Sequence, residues 1–197
     1  MRILAFTDLH GRINILEKLQ EKAKNCDIIA CAGDITTFEN EMGTLIKSIA
    51  SFSKPFLIIH GNHEDEVNME RACLNLKNVN FLHKAVYESG KYVFMGFGGG
   101  GFMTREPDFE IVSKSFRKHI KPGKKTVLIV HGPPAGTKLD LIDEEHVGCK
   151  SYREFIDNNK IDLVICGHLH ENAKARQIFK KRTTIINPGA DGVIVEL

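Results

Sequence analysis

The amino-acid sequence predicts an α/β protein in which two mixed β-sheets pack together with helices outside them. Five short apolar runs rich in β-branched residues are typical of strands that are buried on both faces. Patterns with helical spacing lie between the first three runs and follow the third. The remainder of the chain combines short strands and turns with two further helices, which favours a second sheet over a single regular α/β alternation.

Each predicted element has a sequence pattern of its own. The apolar runs predict strands at 3–6, 28–32, 56–59, 127–130 and 163–166. Two further strands, which lie among turns, are expected at 92–97 and 183–186. Apolar residues at helical spacing, such as Ile13, Leu16 and Leu19, predict a helix at about 13–24. Further helices are expected at 39–52, 65–76, 108–120 and 149–159.

A polar motif follows each of the five apolar runs. Residues at the carboxyl ends of neighbouring strands converge on one crevice in open α/β sheets, so we expect the motifs to share one rim. His168 and His170 flank Leu169, and alternate residues of an extended segment point to the same side. The motifs are Asp8-Leu9-His10, Gly33-Asp34, Gly61-Asn62-His63-Glu64, His131-Gly132 and Gly167-His168-Leu169-His170.

These residue types suit a site for two divalent cations. Two cations roughly 3.5–4 Å apart can clamp a phosphoryl group during an in-line displacement, and they need a bridging carboxylate, here Asp34. Two carboxylates against two dications leave a positive cluster, which lowers the pKa of a bridging water and attracts phosphate. The absence of sulfur favours Mn, Fe, Zn, Co or Ni over Cu(I), with manganese preferred. One ion is expected on Asp8, His10 and His170, and the other on Asn62, His131 and His168.

The ordered set of five motifs resembles the calcineurin-like metallophosphoesterase superfamily. The motifs extend from residue 8 to residue 170 of the 197. The resemblance implies a four-layer αββα sandwich and the same seven metal ligands. It also implies that His63 is a catalytic histidine outside the ligand set, which protonates the leaving oxygen or stabilises the transition state.

A finer resemblance points to one branch of this superfamily. The second half is similar to the branch that includes the animal metallophosphoesterase-domain phosphodiesterases, which hydrolyse cyclic nucleotides and other diesters. We therefore expect a small or nucleotide phosphodiester to be hydrolysed through a metal-bridging hydroxide. The matching segments are His131-Gly132-Pro133-Pro134, Asp140, His146-Val147-Gly148-Cys149, Gly167-His168-Leu169-His170-Glu171 and Ile186-Asn187-Pro188.

Two other functions remain open, a phosphomonoesterase and a metal-binding scaffold for protein assembly. Every ligand position is filled, which argues against the scaffold. A protein phosphatase is disfavoured, because Gly33-Asp34-Ile35-Thr36-Thr37-Phe38-Glu39 lacks the Asp and Arg of that group's Gly-Asp-x-x-Asp-Arg-Gly motif. The chain also has no room for the long cap domain of the related double-strand-break nucleases.

Several residues outside the ligand set are candidates for substrate contact. The run Gly98–Gly101 is either a flexible turn or a loop whose backbone amides meet phosphate oxygens, with Gly99 and Gly100 at its centre. Arg12 and Arg105 are candidate phosphate contacts. The remaining histidines His60, His83 and His119 are expected to be structural, and His146 is left open.

Composition indicates one domain over residues 1–197. A chain with 42% hydrophobic residues and no linker or repeat can bury one core. The formal charge of +2, without a basic stripe, argues against an extended nucleic-acid footprint. No targeting or membrane segment is visible, and five cysteines without a C-x-x-C pair favour reduced thiols. We expect a cytoplasmic protein with a small-molecule substrate, of open oligomeric state.

Overall fold

Two mixed sheets form the centre of the computed structural model, which describes residues 1–197. The first sheet has the strand order β13-β1-β2-β3-β4, in which β1 to β4 are parallel and β13 is antiparallel to β1. Its strands are β1 (Arg2–Phe6), β2 (Ile28–Cys31), β3 (Phe56–Ile58), β4 (Val79–Phe81) and β13 (Val193–Glu196).

The second sheet contains six strands in the order β11-β12-β10-β7-β6-β5. The four inner strands are parallel, and the edge strands β11 and β5 are antiparallel to their neighbours. The strands are β5 (Ala85–Ser89), β6 (Tyr92–Phe97), β7 (Lys125–Val130), β10 (Leu163–Ile165), β11 (Arg176–Phe179) and β12 (Thr183–Ile186). A separate two-stranded hairpin joins β8 (Leu141–Ile142) to β9 (Glu145–His146).

Five α-helices occupy the predicted positions with shorter bounds. They are α1 (Leu16–Ala23), α2 (Met42–Ala50), α3 (Glu66–Cys73), α4 (Pro107–Phe116) and α5 (Lys150–Asn158). One-turn 3₁₀ segments occupy Ile13–Ile15, Arg117–His119 and His170–Asn172. Helix α2 begins later than predicted because Glu39 and Glu41 have left-handed backbone angles, with φ of 64° and 55°. None of the helices combines the length and the apolar composition that a membrane crossing needs.

Alternation of side chains along the strands creates three apolar layers. In β1, Ile3 and Ala5 pack between the two sheets, whereas Leu4 and Phe6 pack against the helices on the outer side. Helices α1, α2 and α3 cover the first sheet, and α4 and α5 cover the second. The arrangement is the expected four-layer αββα sandwich, built from two mixed sheets.

The aromatic cluster under α4 gives the first prediction. Phe109 is fully buried and its ring packs edge-on against Tyr152 and Phe155 at centroid distances of 4.8 and 5.4 Å. Phe109→Ala should lower the free energy of unfolding by about 3–5 kcal/mol, because it leaves a cavity. Ile111 lies on the same helix and is 65% exposed, so Ile111→Ala is the matched control and should have little effect. Urea denaturation of both variants tests this, and equal losses would contradict it.

Candidate metal centre

The strand registers bring the five polar motifs to one rim. In the first sheet Phe6 pairs with Cys31, and Cys31 pairs with Ile58, so these strands end at the same level. In the second sheet Ile129 pairs with Ile165. The residues that follow these positions therefore emerge side by side, and all seven predicted ligands gather there.

The donor atoms form overlapping clusters, each small enough for one ion. Within each cluster the donor atoms lie within 4.8 Å of one another. Asp34 Oδ2 lies 3.4 Å from His131 Nε2 and 3.8 Å from His10 Nε2, so this carboxylate stands between the two expected ion positions. Asn62 Oδ1 lies 2.9 Å from His131 Nε2. The clusters are Asp8, His10 and His170; Asp34, His131 and His168; and His10, Asp34 and His63.

Backbone carbonyls orient two of the histidines toward the centre. His131 Nδ1 donates to the carbonyl oxygen of Ala32 at 2.8 Å, and His10 Nδ1 donates to that of Thr36 at 3.2 Å. A carbonyl can only accept, so Nδ1 of each ring carries a proton. Nε2 of each ring is thereby presented to the centre, as in metal-binding histidines generally.

The ring nitrogen atoms of the site fit a pair of divalent cations. Nε2 of His168 is buried and has no hydrogen-bond partner, which is costly for a polar atom. Nε2 of His10 lies 3.0 Å from Nε2 of His170, so two ring nitrogens face the same point. Imidazole nitrogens and carboxylate oxygens are ligands that Zn, Fe, Ni and Mn accept. These residues could therefore hold two such ions.

Four predicted ligands have backbone angles in the left-handed region. The φ values are 53° for Asp8, 47° for His10, 51° for Asp34 and 68° for His168. Such conformations cost about 1–3 kcal/mol each and cluster at functional sites. Neighbouring glycines leave room for the ligands: a Cβ on Gly61 would stand 2.0 Å from Asp34 Oδ1. The ligand turns are thus tight, and packing holds them.

Glu64 is a residue whose role the sequence analysis missed. Its buried carboxylate accepts hydrogen bonds from the backbone N–H of Asp34, Thr36 and Gly61 at 2.8 to 3.1 Å, and from the hydroxyl of Thr36. It ties the loop after β2 to the loop after β3. Its place directly after Asn62 and His63 is the only sequence pattern that could have indicated this.

The carboxylates of two predicted ligands also fix the backbone around them. Asp34 Oδ1 accepts a hydrogen bond from the N–H of His63 at 3.0 Å. The carboxylate of Asp8 accepts one from the N–H of His168 at 3.1 Å, which joins the two sheets across the site. Each carboxylate therefore positions a second site residue besides offering a ligand atom.

Burial and charge set the protonation of the site. Burial lowers the pKa of His168 to about 4 and also lowers that of His10, so both rings are neutral at pH 7. Burial also acts to lower the pKa of His131, but the hydrogen bond and charge of Asp34 outweigh it and raise this pKa to about 9. The same contact outweighs the effect of burial on Asp34 and lowers its pKa to about 2.

The raised pKa of His131 predicts proton release on metal binding. The metal-free protein retains the His131 proton up to about pH 9, and a ligand nitrogen must lose it. Binding of Mn²⁺ at pH 7.5 should therefore release about one proton, and metal affinity should rise with pH until about pH 9. Calorimetry in buffers of different ionisation enthalpy measures this. The surface variant His119→Gln should behave like the wild type, and binding without proton release would contradict the assignment.

The two arginines that are candidate phosphate contacts lie in different surroundings. Arg12 lines a cavity beside His10 and His170. Arg105 lines no cavity that contains a predicted ligand. Its guanidinium donates instead to both carboxylate oxygens of Glu154 at 2.8 and 2.9 Å and to Glu110 at 3.1 Å. The charge of Arg105, a candidate phosphate contact from the sequence, is therefore paired with two carboxylates of the protein.

Within the glycine run, Gly101 lies nearest to the ligands. A Cβ on Gly101 would stand 3.4 Å from the ring of His168, whereas Gly99 faces His60 and Gly100 faces Glu106. Gly99 N–H donates to the carbonyl oxygen of His60 at 3.0 Å. The glycine run is therefore held by a backbone hydrogen bond to His60. It comes nearest to the predicted ligands at Gly101, one residue beyond the predicted contacts Gly99 and Gly100.

The remaining histidines have structural partners. His60 and His83 pack against each other at a ring distance of 4.5 Å, and His83 Nδ1 accepts from Gly98 N–H at 2.8 Å. His119 contacts Glu88 at the surface. His146, which the sequence left open, donates from Nδ1 to the fully buried Asp140.

The chain belongs to the calcineurin-like phosphoesterase family, whose model matches residues 1–172. This family uses a centre of two divalent metal ions, and the clusters described above are candidate ligands for it. No curated protein matches the chain by sequence.

Solved structures share the fold. A Thermus thermophilus protein has a TM-score of 0.78 at 17% identity, and the match covers 96% of this chain and 89% of that protein. A dimetal phosphatase from Danio rerio has a TM-score of 0.72 at 9% identity, covering 97% and 88%. An archaeal phosphodiesterase has a TM-score of 0.56 at 17% identity, covering 96% and 84%. At these identities the similarity is one of fold.

Proposed function

We propose that this protein is a phosphodiesterase that hydrolyses a small or nucleotide phosphodiester at two divalent cations, with manganese favoured. The observation that carries the proposal is the convergence of two nitrogen and oxygen donor sets on Asp34 Oδ2. Asp8, His10 and His170 would hold one ion and Asn62, His131 and His168 the other, with Asp34 shared. When bound, the ions supply an activated water and positive charge for the phosphoryl oxygens.

His63 is the proposed catalytic acid. Its Nε2 lies 3.9 Å from Asp34 Oδ2, too far for a hydrogen bond, so its proton is not held by that carboxylate. The side chain is 22% exposed and packs against Phe38 and His10 at ring distances of 4.7 and 4.9 Å. His63 is therefore positioned by packing at the edge of the donor cluster, where it can donate a proton to the departing oxygen.

Two exposed aromatic rings support a diester substrate. Phe38 is 78% exposed and its ring packs beside that of His63. Phe102 is 66% exposed and its ring lies 4.6 Å from that of His168. Exposed rings beside site histidines can stack with a nucleobase or an aryl group. An open-chain diester carries an organic group on each side of phosphorus and so has a group for each ring, whereas a monoester has only one.

We also propose that the protein acts in the cytoplasm. All five cysteines are buried free thiols, which suits a reducing compartment. Burial raises the pKa of Cys73 to about 12, so this thiol is unreactive at neutral pH.

A comparison of ester classes tests the proposed function. With Mn²⁺ bound, kcat/KM should be higher for bis(p-nitrophenyl) phosphate or a cyclic nucleotide than for p-nitrophenyl phosphate. For bis(p-nitrophenyl) phosphate the physical reason is its second aryl group, because p-nitrophenyl phosphate has an aryl group for only one of the two exposed rings. Release of p-nitrophenol and of the nucleotide monophosphate gives the rates. A monoester preferred roughly tenfold, a difference of about 1.4 kcal/mol, would establish the runner-up, a phosphomonoesterase. Absence of turnover by the fully metal-loaded protein would instead support the metal-binding scaffold for protein assembly.

The role of His63 gives a separate prediction. General-acid help contributes typically 10²–10⁴-fold and matters most for a basic leaving oxygen. His63→Ala should retain both metals and lose about that factor with an alkyl or ribose ester, but far less with a p-nitrophenyl ester. His119→Ala, at a surface histidine, is the matched control. Equal losses for both esters would indicate stabilisation of phosphoryl charge instead, and loss of a metal would show that His63 is a ligand.

A further inference from the structure

A cavity of about 340 Å³ opens beside the predicted ligands His10 and His170. This volume lies within the roughly 300–1,000 Å³ that is typical of small-molecule sites. Its lining continues from the ligands to Arg12, Lys174 and Asp191, and only two of its nine residues are hydrophobic. The cavity is therefore a polar extension of the metal centre.

Three lysines converge on Asp191 at the wall of this cavity. Nζ of Lys18 and Nζ of Lys174 lie 3.2 and 3.4 Å from Asp191 Oδ2. Lys22 Nζ donates to the carbonyl oxygens of Asp191 and Gly192, each at 2.7 Å. Partial burial and the nearby charge of Lys18 lower the pKa of Lys22. One carboxylate cannot neutralise three ammonium groups, so the cluster retains a positive charge.

Arg12 adds a fourth cation, which lines the same cavity. Its Nε and Nη2 donate to the carbonyl oxygens of Leu9 and Asp8, which hold the guanidinium in place. Nη1 makes no hydrogen bond to the protein. Asp191 is the one carboxylate of the lining outside the predicted metal ligands.

A purely structural role does not account for this excess of charge. Lys22 fastens the backbone of the turn at Asp191 to α1, because it bonds two carbonyl oxygens there. The side chains of Lys18 and Lys174 stay 56% and 66% exposed. They can therefore turn toward an anion at little cost, because exposed ion pairs such as those with Asp191 add little to stability.

We propose that this cavity binds a second anionic group of the substrate, so that the preferred diester carries a phosphate in addition to the one that is cleaved. Arg12 and Lys174 donate charge-assisted hydrogen bonds to the second phosphate, and Lys18 contributes charge. Like charges lining one cleft also concentrate an anion there. The inference rests on the proposed function, because the scissile phosphate must lie at the metal centre next to the cavity.

A matched pair of esters tests the inference. The p-nitrophenyl ester of thymidine 5′-phosphate and the same ester with an additional 3′-phosphate share the leaving group and differ in one phosphate. The Mn²⁺-loaded wild type should cleave the two-phosphate ester with roughly tenfold higher kcat/KM, a difference of about 1.4 kcal/mol, because only this ester can accept charge-assisted hydrogen bonds in the cavity. Lys174→Glu should abolish this preference and cleave the two esters with equal kcat/KM.

The matched control is Lys118→Glu, an exposed lysine after α4 with no ion pair, which should retain the preference. Calorimetry with thymidine 3′,5′-bisphosphate and thymidine 5′-phosphate provides a readout without turnover. The wild type should bind the bisphosphate more tightly than thymidine 5′-phosphate, and Lys174→Glu should bind the two nucleotides equally. If the wild type does not distinguish the two nucleotides, or Lys174→Glu still does, the inference is overturned while cleavage of simple diesters leaves the proposed function intact. If neither ester is cleaved although the bisphosphate binds more tightly, the proposed function fails and the anion site stands.

Discussion

The apolar layer between the two sheets is the constraint on which the site depends. Residues such as Ala30, Leu57, Val127 and Ile165 are fully buried there, and they hold the two sheets face to face. Because β1, β2 and β3 belong to one sheet and β7 and β10 to the other, no single sheet carries all the ligand motifs. Packing through this layer brings the strand ends of both sheets to one rim.

The loops at this rim hold conformations that they would not adopt alone. Asp8, His10 and Asp34 have left-handed backbone angles, and such conformations persist only when surrounding structure determines them. Glu64 supplies part of that support, because its carboxylate binds backbone N–H groups from both neighbouring loops. Desolvation of this carboxylate raises its pKa, yet its hydrogen bonds to the backbone of Gly61 and Thr36 favour the ionised form. The predicted metal ligands thus depend on a residue outside the predicted ligand set.

The surroundings of the donor cluster differ from one side to the other. Phe38 and Phe102 present exposed rings beside His63 and His168, whereas Arg12 and Lys174 line the cavity beside His10 and His170. Apolar and cationic surfaces select different parts of a molecule, so under the proposed function the two sides would divide recognition of an ester between them. A nucleotide with more than one phosphate combines both kinds of group, which connects the proposed function with the proposed anion site.

The sequence by itself determined the sheets, the helices and the gathering of the seven candidate ligands, because buried strands and amphipathic helices have local patterns and each ligand motif follows a strand. The tertiary structure alone decided what surrounds those ligands. Arg105 pairs with Glu154, Lys22 bonds the backbone of Asp191, and Glu64 bonds the loop after β2. These partners are 49, 169 and 28 residues apart in the chain. No local pattern records such contacts, since they arise only when strand order and packing bring distant segments together.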